Sequence, residues 1–381
     1  MKGTLEYTEH GWRIAADTTR HHRESAWDYK GQGIYHITMT ISERYPLLGE
    51  LVGDDQEEAQ IRLTDFGHQV WKMVSGLPAF YAPKGYLLKV IAAQIMPDHI
   101  HLVLQVLEPL PKSIGTVIRG FKSACTSLFK KEQTSDKNIA EMQNILHFSR
   151  IFARTNSIWE ANPARYHERI LHVYDQLQPM IQYVKANPRR LWLKRAHPDL
   201  FRIHQQTQIA GILCTTLGNM FLAERPFRAV LQCSRSLTQA EIDIRKRECL
   251  NNANNGTIYI TAAISKGEKQ IARAIREAGY PLIVLLENGF PTPDDPHYRF
   301  YKPQGVYFEA CSAGKLLLVQ PDNDMLERED IKERVTAKVG DIPHDSLRYR
   351  FLALNTIAAL LASAQHSEAS PSLPGTDIVR P

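Results

Sequence analysis

The run Gln94-Ile95-Met96-Pro97-Asp98-His99-Ile100-His101-Leu102-Val103-Leu104-Gln105 brings two imidazoles to the start of an apolar strand. Residues two apart in a strand share a face. Ile100, Leu102, Leu104 and Val106 therefore point into a core, and His99, His101, Val103 and Gln105 point the other way. By the strand rise the two histidine Cα atoms lie roughly 7 Å apart, so both rings can converge on one divalent ion. Taken alone, the spacing fits a pair of half-exposed strand histidines better than a metal site. Pro97-Asp98 reads as a turn, and Asp98 serves it.

Further along, Ile181-Gln182-Tyr183-Val184-Lys185-Ala186-Asn187-Pro188-Arg189-Arg190 places Tyr183 and Asn187 four apart on a helix, hence on one face. Asn187 can offer an amide oxygen to a cation and Tyr183 a phenolate. Two imidazoles, one amide oxygen and open positions suit Mg²⁺ or Mn²⁺. Such an ion would polarise a scissile phosphate. A tyrosine, with its usual pKa near ~10, attacks at neutral pH only where a cation or base favours its phenolate. Attack would form a phosphotyrosine and release a hydroxyl end; return attack by a hydroxyl rejoins the strand without ATP. Each residue also has a plainer reading: Tyr183 as a packing tyrosine, Asn187 as the end of a helix stopped by Pro188. His36, His147, His167 and His172 read as surface or satisfied polar residues, His167 being the one nearest the site.

These groups need a scaffold. The 381 residues suffice for two or three domains. With 43% hydrophobic and 23% charged residues the chain has an ordinary globular composition. A net charge of +5 is compatible with a nucleic-acid partner. The five cysteines are scattered and lack a C-x-x-C pair, as expected of reduced thiols in a cytoplasmic protein. The polar N-terminus shows no secretory signal, and no apolar run reaches membrane-spanning length.

The first 30 residues read as an irregular arm. Gly33–Ile41 reads as a strand and Tyr45–Gln60 as a loop. Leu63–Ser75 is a helix, ended by Gly76 and Pro78. Gly85–Ile95 and Asp98–Leu107 are strands. A helix opens at Pro111 and runs to about Lys131, with Lys112, Arg119, Lys122 and Lys130 opposite its apolar side. That stripe fits a solvated surface or a phosphate backbone. The 131–150 stretch is polar and reads as loop. A short strand falls within Ser157–Ile170, and a helix covers His172–Asn187. The order strand, helix, strand, strand, helix, strand is the ferredoxin-like arrangement, an α+β antiparallel sheet with helices, here with one more helix across the sheet. Beyond it, 196–256 reads as a basic connecting segment with a polar hinge at Asn251–Gly256. Thr257–Ile264, Pro281–Leu286 and Lys315–Val319 are continuous apolar strands alternating with helices, which implies an α/β, parallel, Rossmann-like domain over 257–364. Asp345–Ala364 closes it as a helix. Residues 365–381 read as a disordered tail.

Met96-Pro97-Asp98-His99-Ile100-His101, followed about eighty positions later by Tyr183-Val-Lys-Ala-Asn187-Pro188-Arg189, resembles the HUH single-tyrosine transposases, closest to their REP-associated group. The resemblance spans ~30–195 and defines an HUH domain over 31–195. It implies that His99 and His101 bind the metal, that Asn187 is a third ligand and that Tyr183 is the nucleophile. It further implies cleavage of single-stranded DNA near hairpins through a 5′-phosphotyrosine link. Arg119, Lys122, Lys130, Arg189 and Arg190 would hold the DNA backbone. Relatives that build composite sites across a homodimer leave open which chain's tyrosine serves which histidines. The 131–150 loop and the length of the chain depart from minimal members.

The stretch Ile264-Ser265-Lys266-Gly267-Glu268, with Gly279-Tyr-Pro-Leu-Ile-Val, resembles the Rossmann-like domain of the DNA-processing protein A and lysine-decarboxylase-like group. A Ser-x-Gly at a strand-to-helix junction presents N–H groups to an anion, so Ser265, Lys266 and Gly267 are candidate phosphate ligands; a plain scaffold is the alternative. For the whole chain the leading expectation is a metal-dependent strand transferase on hairpin DNA. The rivals are a non-catalytic nucleic-acid binder and a nucleotide-sensing regulator.

Overall fold

The computed structural model describes residues 5–8, 11–14, 27–132, 148–150, 152–153, 155–160, 167–172, 174–286, 290 and 306–363. The expected 131–150 loop beyond Glu132, most of the N-terminal arm and the 365–381 tail lie largely or wholly outside them, as does His147. The chain forms two compact units: Ala16–Ala196, and His197–Pro381 grouped with Met1–Ala15. Within the arm, β1 (Leu5–Thr8) and β2 (Gly11–Ile14) pair antiparallel.

In the first unit β3 (Gly33–Thr40) is followed by β4 (Gly49–Val52) and β5 (Gln60–Leu63). These last two form an antiparallel hairpin inside the stretch expected to be loop. Helix α1 (Asp65–Tyr81) begins at the Thr64 N-cap, whose hydroxyl accepts from Gly67 N at 3.0 Å. It runs through Gly76 and Pro78, correcting the expected stop. Proline removes one helical hydrogen bond, but Leu77 and Tyr81 continue the buried stripe of Val70 and Val74, and burial outweighs the break. Then come β6 (Leu88–Met96), the Pro97-Asp98 turn and β7 (His99–Val106). The turn is tied down: Leu48 N donates to Pro97 O at 2.9 Å and Ile41 N to Asp98 O at 2.8 Å. Helix α2 (Ile114–Glu132) starts three residues after Pro111, not at it. β8 (His167–Ile170) completes an all-antiparallel sheet in the order β6-β7-β3-β8. The expected helix over His172–Asn187 is α3 (Leu177–Lys185), broken at Ala186 and resumed as α4 (Asn187–Ala196), with Pro188 in its first turn.

The sheet is covered on both faces. Ile100, Leu102, Leu104 and Val106 join α1 and α2 residues such as Val74 and Ile118 in one core. On the opposite face Val103 and Ala92 pack against Leu177, Met180 and Val184 of α3.

The second unit begins earlier than expected. The stretch 196–256 is folded chain: it carries β9 (Ile203–Ile209), β10 (Ile212–Gly218), β11 (Arg228–Val230) and α5 (Gln239–Asn254), which takes up the first four residues of the expected hinge. Its charged residues line the exposed sides of elements whose apolar residues, such as Leu217 and Leu231, are fully buried. There follow β12 (Ile258–Thr261), α6 (Lys266–Glu277), β13 (Leu282–Leu285), α7 (Val306–Ser312), β14 (Leu316–Pro321), α8 (Asn323–Leu326), α9 (Glu329–Val339) and α10 (Leu347–Ser363). The six-stranded sheet runs β11-β12-β13-β14-β10-β9. The first four strands are parallel; β12, β13 and β14 match the apolar runs, β11 lies in the stretch expected to be a connecting segment, and β10 and β9 add antiparallel to β14. Ile258 and Ile260 face α9 and α10 while Tyr259 faces α5 and α6, so both faces are core.

At the junction of β12 and α6, Ser265 caps the helix and Glu268 closes a capping box. The fully buried Glu268 carboxylate accepts from Ile264 N at 2.7 Å, Ser265 N at 3.1 Å and Cys233 N at 3.0 Å. Of the donors expected to cradle a phosphate, Ser265 N is thus held by the protein's own carboxylate. A Cβ on Gly267 would meet Cys233 Cβ at 3.1 Å and Ile242 Cγ1 at 3.3 Å, so the glycine serves the close packing of α6 against α5 and the chain before it. Removing the carboxylate in Glu268→Ala strands three buried N–H groups. It should cost about 3 kcal/mol or more in chemical denaturation, and Glu268→Gln, which keeps an acceptor, should cost less.

Candidate active site

β7 delivers His99 and His101 on the face opposite the α1/α2 core, and α3 lies over that face. Because β3 pairs with β7, Thr38 stands opposite His101 and His36 opposite Val103. Residues paired across a ladder share a face, so His36 and Thr38 join the histidines. Tyr183 meets them from α3: its ring centroid is 5.6 Å from that of His101 and 5.9 Å from that of His36, both edge-on. The buried Arg190, at the start of α4, holds its guanidinium carbon 5.2 Å from the Tyr183 ring.

His99 Nε2 and His101 Nε2 face each other at 3.1 Å. Their other ring nitrogens are engaged: His99 Nδ1 with Asp98 Oδ1 at 2.5 Å, and His101 Nδ1 with both His36 Nε2 and Thr38 Oγ1 at 3.1 Å. Burial alone would raise the Asp98 carboxyl, but the hydrogen bond and charge of His99, aided by Arg44, hold it below the usual carboxylate range. Arg44 sits 3.4 Å from Asp98 Oδ2, on a stretch where Glu43 and Arg44 both have positive φ, at 56° and 55°.

The pair of imidazoles suits a divalent ion. Two ligands about 2.1 Å from an octahedral ion and at right angles lie ~3.0 Å apart, close to the 3.1 Å between the Nε2 atoms. The carboxylate–histidine contact is the usual support for a metal-binding ring. No group of three or more His, Cys, Asp or Glu side chains able to hold a metal occurs among the described residues. Among the described residues, any further protein ligand is therefore of another type. Asn187 is buried, and its amide nitrogen donates to Tyr183 O at 2.8 Å and Val184 O at 3.2 Å, closing the end of α3. Only its oxygen remains to face a cation.

The basic residues divide. Arg190 lies beside Tyr183, and Arg189 on the same helix donates to Gln56 Oε1 at 3.0 Å. Arg119, Lys122 and Lys130 belong to α2, on the other face of the sheet, and are not brought to the histidines. Lys122 is only 7% exposed, its ammonium 5.3 Å from the Trp159 ring, so it is a packing residue and not part of a solvated stripe. A stem that long can bury while its charge finds an aromatic face. Sequence reasoning missed His36, set aside as surface or satisfied: it is 7% exposed and bonded to His101. Its signal was the alternation of Gly33–Ile41, which puts His36 and Thr38 opposite Tyr35, Ile37 and Met39. His172 is exposed and packs edge-on against Trp27. His167 begins β8 opposite Thr38. In the other unit, Ser265 and Glu268 line a pocket of about 660 Å³ with Arg235, Arg348, Phe351 and Asn355.

No protein-family model matches the sequence, and no curated protein matches it. Among solved structures, the chain is similar to a REP-associated tyrosine transposase bound to a REP hairpin. Identity is 13% and the TM-score 0.26, over 44% of this chain and 72% of that one. A protein from Deinococcus radiodurans R1, provisionally described as a transposase, aligns at 15% identity and a TM-score of 0.22, over 44% of this chain and 96% of the other. Likeness at these scores carries no argument about activity, which rests on the side chains themselves. No helix among the described residues is long and apolar enough to cross a membrane.

Replacing Asp98 with Asn leaves the His99 ring without its carboxylate. Mn²⁺ affinity measured by calorimetry should fall about 10- to 100-fold, with the circular dichroism spectrum unchanged.

Proposed function

We propose that the first unit is a ferredoxin-like HUH domain that nicks and rejoins single-stranded, hairpin-containing DNA through Tyr183, using Mg²⁺ or Mn²⁺. The second unit is then a Rossmann-like domain attached to it. The observation that carries this reading is the Tyr183 ring edge-on to His101 at 5.6 Å, beside the Arg190 guanidinium. A phenol, a pair of imidazoles with facing Nε2 atoms and a fixed cation form a set for phosphoryl transfer to an aromatic hydroxyl.

His99 and His101 would hold the ion, with the Asn187 oxygen as a further ligand. When bound, the ion withdraws charge from the scissile phosphate. Tyr183 Oη gives up its proton to water and attacks phosphorus, and the bond between phosphorus and the departing DNA oxygen breaks. By the resemblance the new bond is a 5′-phosphotyrosine. The departing oxygen takes a proton from water and leaves as a hydroxyl end. Arg190 supplies positive charge where the phenolate and phosphate meet. Reversal with the same or another hydroxyl end rejoins the strand with no loss of bond energy. Arg189 and Arg190 then contact the backbone near the scissile bond, while Arg119 and Lys130 serve DNA only at a distance from it.

Incubation with a single-stranded hairpin oligonucleotide and Mn²⁺ should give a protein–DNA adduct that survives SDS. Tyr183→Phe should form none, and EDTA should prevent it in the unaltered protein. Adduct formation by Tyr183→Phe overturns the nucleophile assignment. A gel shift of equal strength with Mn²⁺ or EDTA, with no adduct, identifies a non-catalytic binder instead.

A further inference from the structure

We propose that His36 is a positioning residue for the metal pair: it receives the Nδ1 proton of His101 and so leaves His101 Nε2 bare to bind a cation. This rests on the reading of His99 and His101 as metal ligands.

A neutral imidazole has one N–H and one lone pair. To bind through Nε2, His101 must carry its proton on Nδ1, and that buried N–H needs an acceptor. Among the described residues, His36 Nε2 and Thr38 Oγ1 lie in reach, each at 3.1 Å. The His36 ring lies edge to edge with His101 and nearly coplanar with it, with centroids 5.2 Å apart and planes 22° apart, so it also limits the tilt of the ligand. It meets Tyr183 edge-on, on the same face. His101 and His36 are both buried, so water is a poor substitute acceptor. His99 obtains the matching service from Asp98. One ligand is thus set by a carboxylate, the other by an imidazole.

The same atoms admit one other proton arrangement. With His36 donating from Nε2 to His101 Nδ1, His101 carries its proton on Nε2 and donates to His99 Nε2, whose Nδ1–H donates to Asp98. Every ring is neutral in both arrangements, with three protons on three imidazoles. In the first, His36 and His101 both carry theirs on Nδ1; in the second, both on Nε2. Cation binding selects the first and moves no net charge within the triad. A residue at position 36 that cannot accept a hydrogen bond disfavours that arrangement by removing an acceptor of the proton.

The test is Mn²⁺ binding without DNA, by calorimetry and by the Mn²⁺ paramagnetic resonance signal, on the full chain. His36→Leu should weaken binding about 10- to 100-fold, in the range typical of lost ligand-supporting contacts. His36→Gln, whose amide oxygen can accept, should recover most of it. Thr38→Val should weaken binding less than His36→Leu. ¹⁵N spectra of the histidine rings in the unaltered, Mg²⁺-loaded protein should show His101 and His36 each protonated on Nδ1. That measurement decides the matter even if His36→Leu does not fold. Binding by folded His36→Leu equal to the unaltered protein, or a loaded His101 protonated on Nε2, overturns the proposal. No Mn²⁺ binding by the unaltered protein overturns the proposal together with the metal reading. If the unaltered protein binds Mn²⁺ but forms no DNA adduct, the strand-transfer reading fails while the His36 result stands.

Discussion

The antiparallel ladder between β3 and β7 is the constraint on which the candidate site depends. Side chains alternate along each strand, so the register that buries Ile37 and Met39 with Ile100 and Leu102 also puts His36 and Thr38 beside His101. A slip of one residue would turn the imidazoles into the α1/α2 core and the isoleucines toward α3. The core therefore holds the register, and the register holds the polar cluster. The tie of the Pro97-Asp98 turn to Leu48 and Ile41 fixes where that ladder ends, and with it the position of Asp98 beside His99.

Helix α3 supplies the other half. Leu177, Met180 and Val184 pack on Val103 and Ala92, which sets the rotation of the helix and leaves Tyr183 next to the rings. Asn187 then closes the helix, and the chain restarts at Pro188, so Arg190 comes back toward the phenol. Tyr183 and Arg190 thus meet across the junction of the two helices.

Much of this was legible beforehand. The alternation after Asp98, the apolar stripe of α3, the break before Pro188 and the parallel strands β12 to β14 all follow from local patterns of residue type. The misreadings share one cause, which is that burial overrides local signals. Pro78 stays inside α1 because Leu77 and Tyr81 are buried. Lys122 counts as a surface charge on a helical wheel, yet it is covered and rests near Trp159. The basic residues of 196–256 looked like a linker because charge was weighed above the short apolar runs of β9, β10 and β11. Ser265 reads as part of an anion cradle, yet its backbone N–H is already held by Glu268.

By itself the sequence determined which side chains could do chemistry and which face of its own strand or helix each would occupy, because periodicity is a local property of the backbone. It did not determine which faces would meet. Whether Tyr183 reaches His101, whether a histidine near the start of the first unit stands behind it, and which of the basic residues share their side of the sheet depend on strand register and helix packing. These are set by contacts between residues far apart in the chain, and only the tertiary structure decided them.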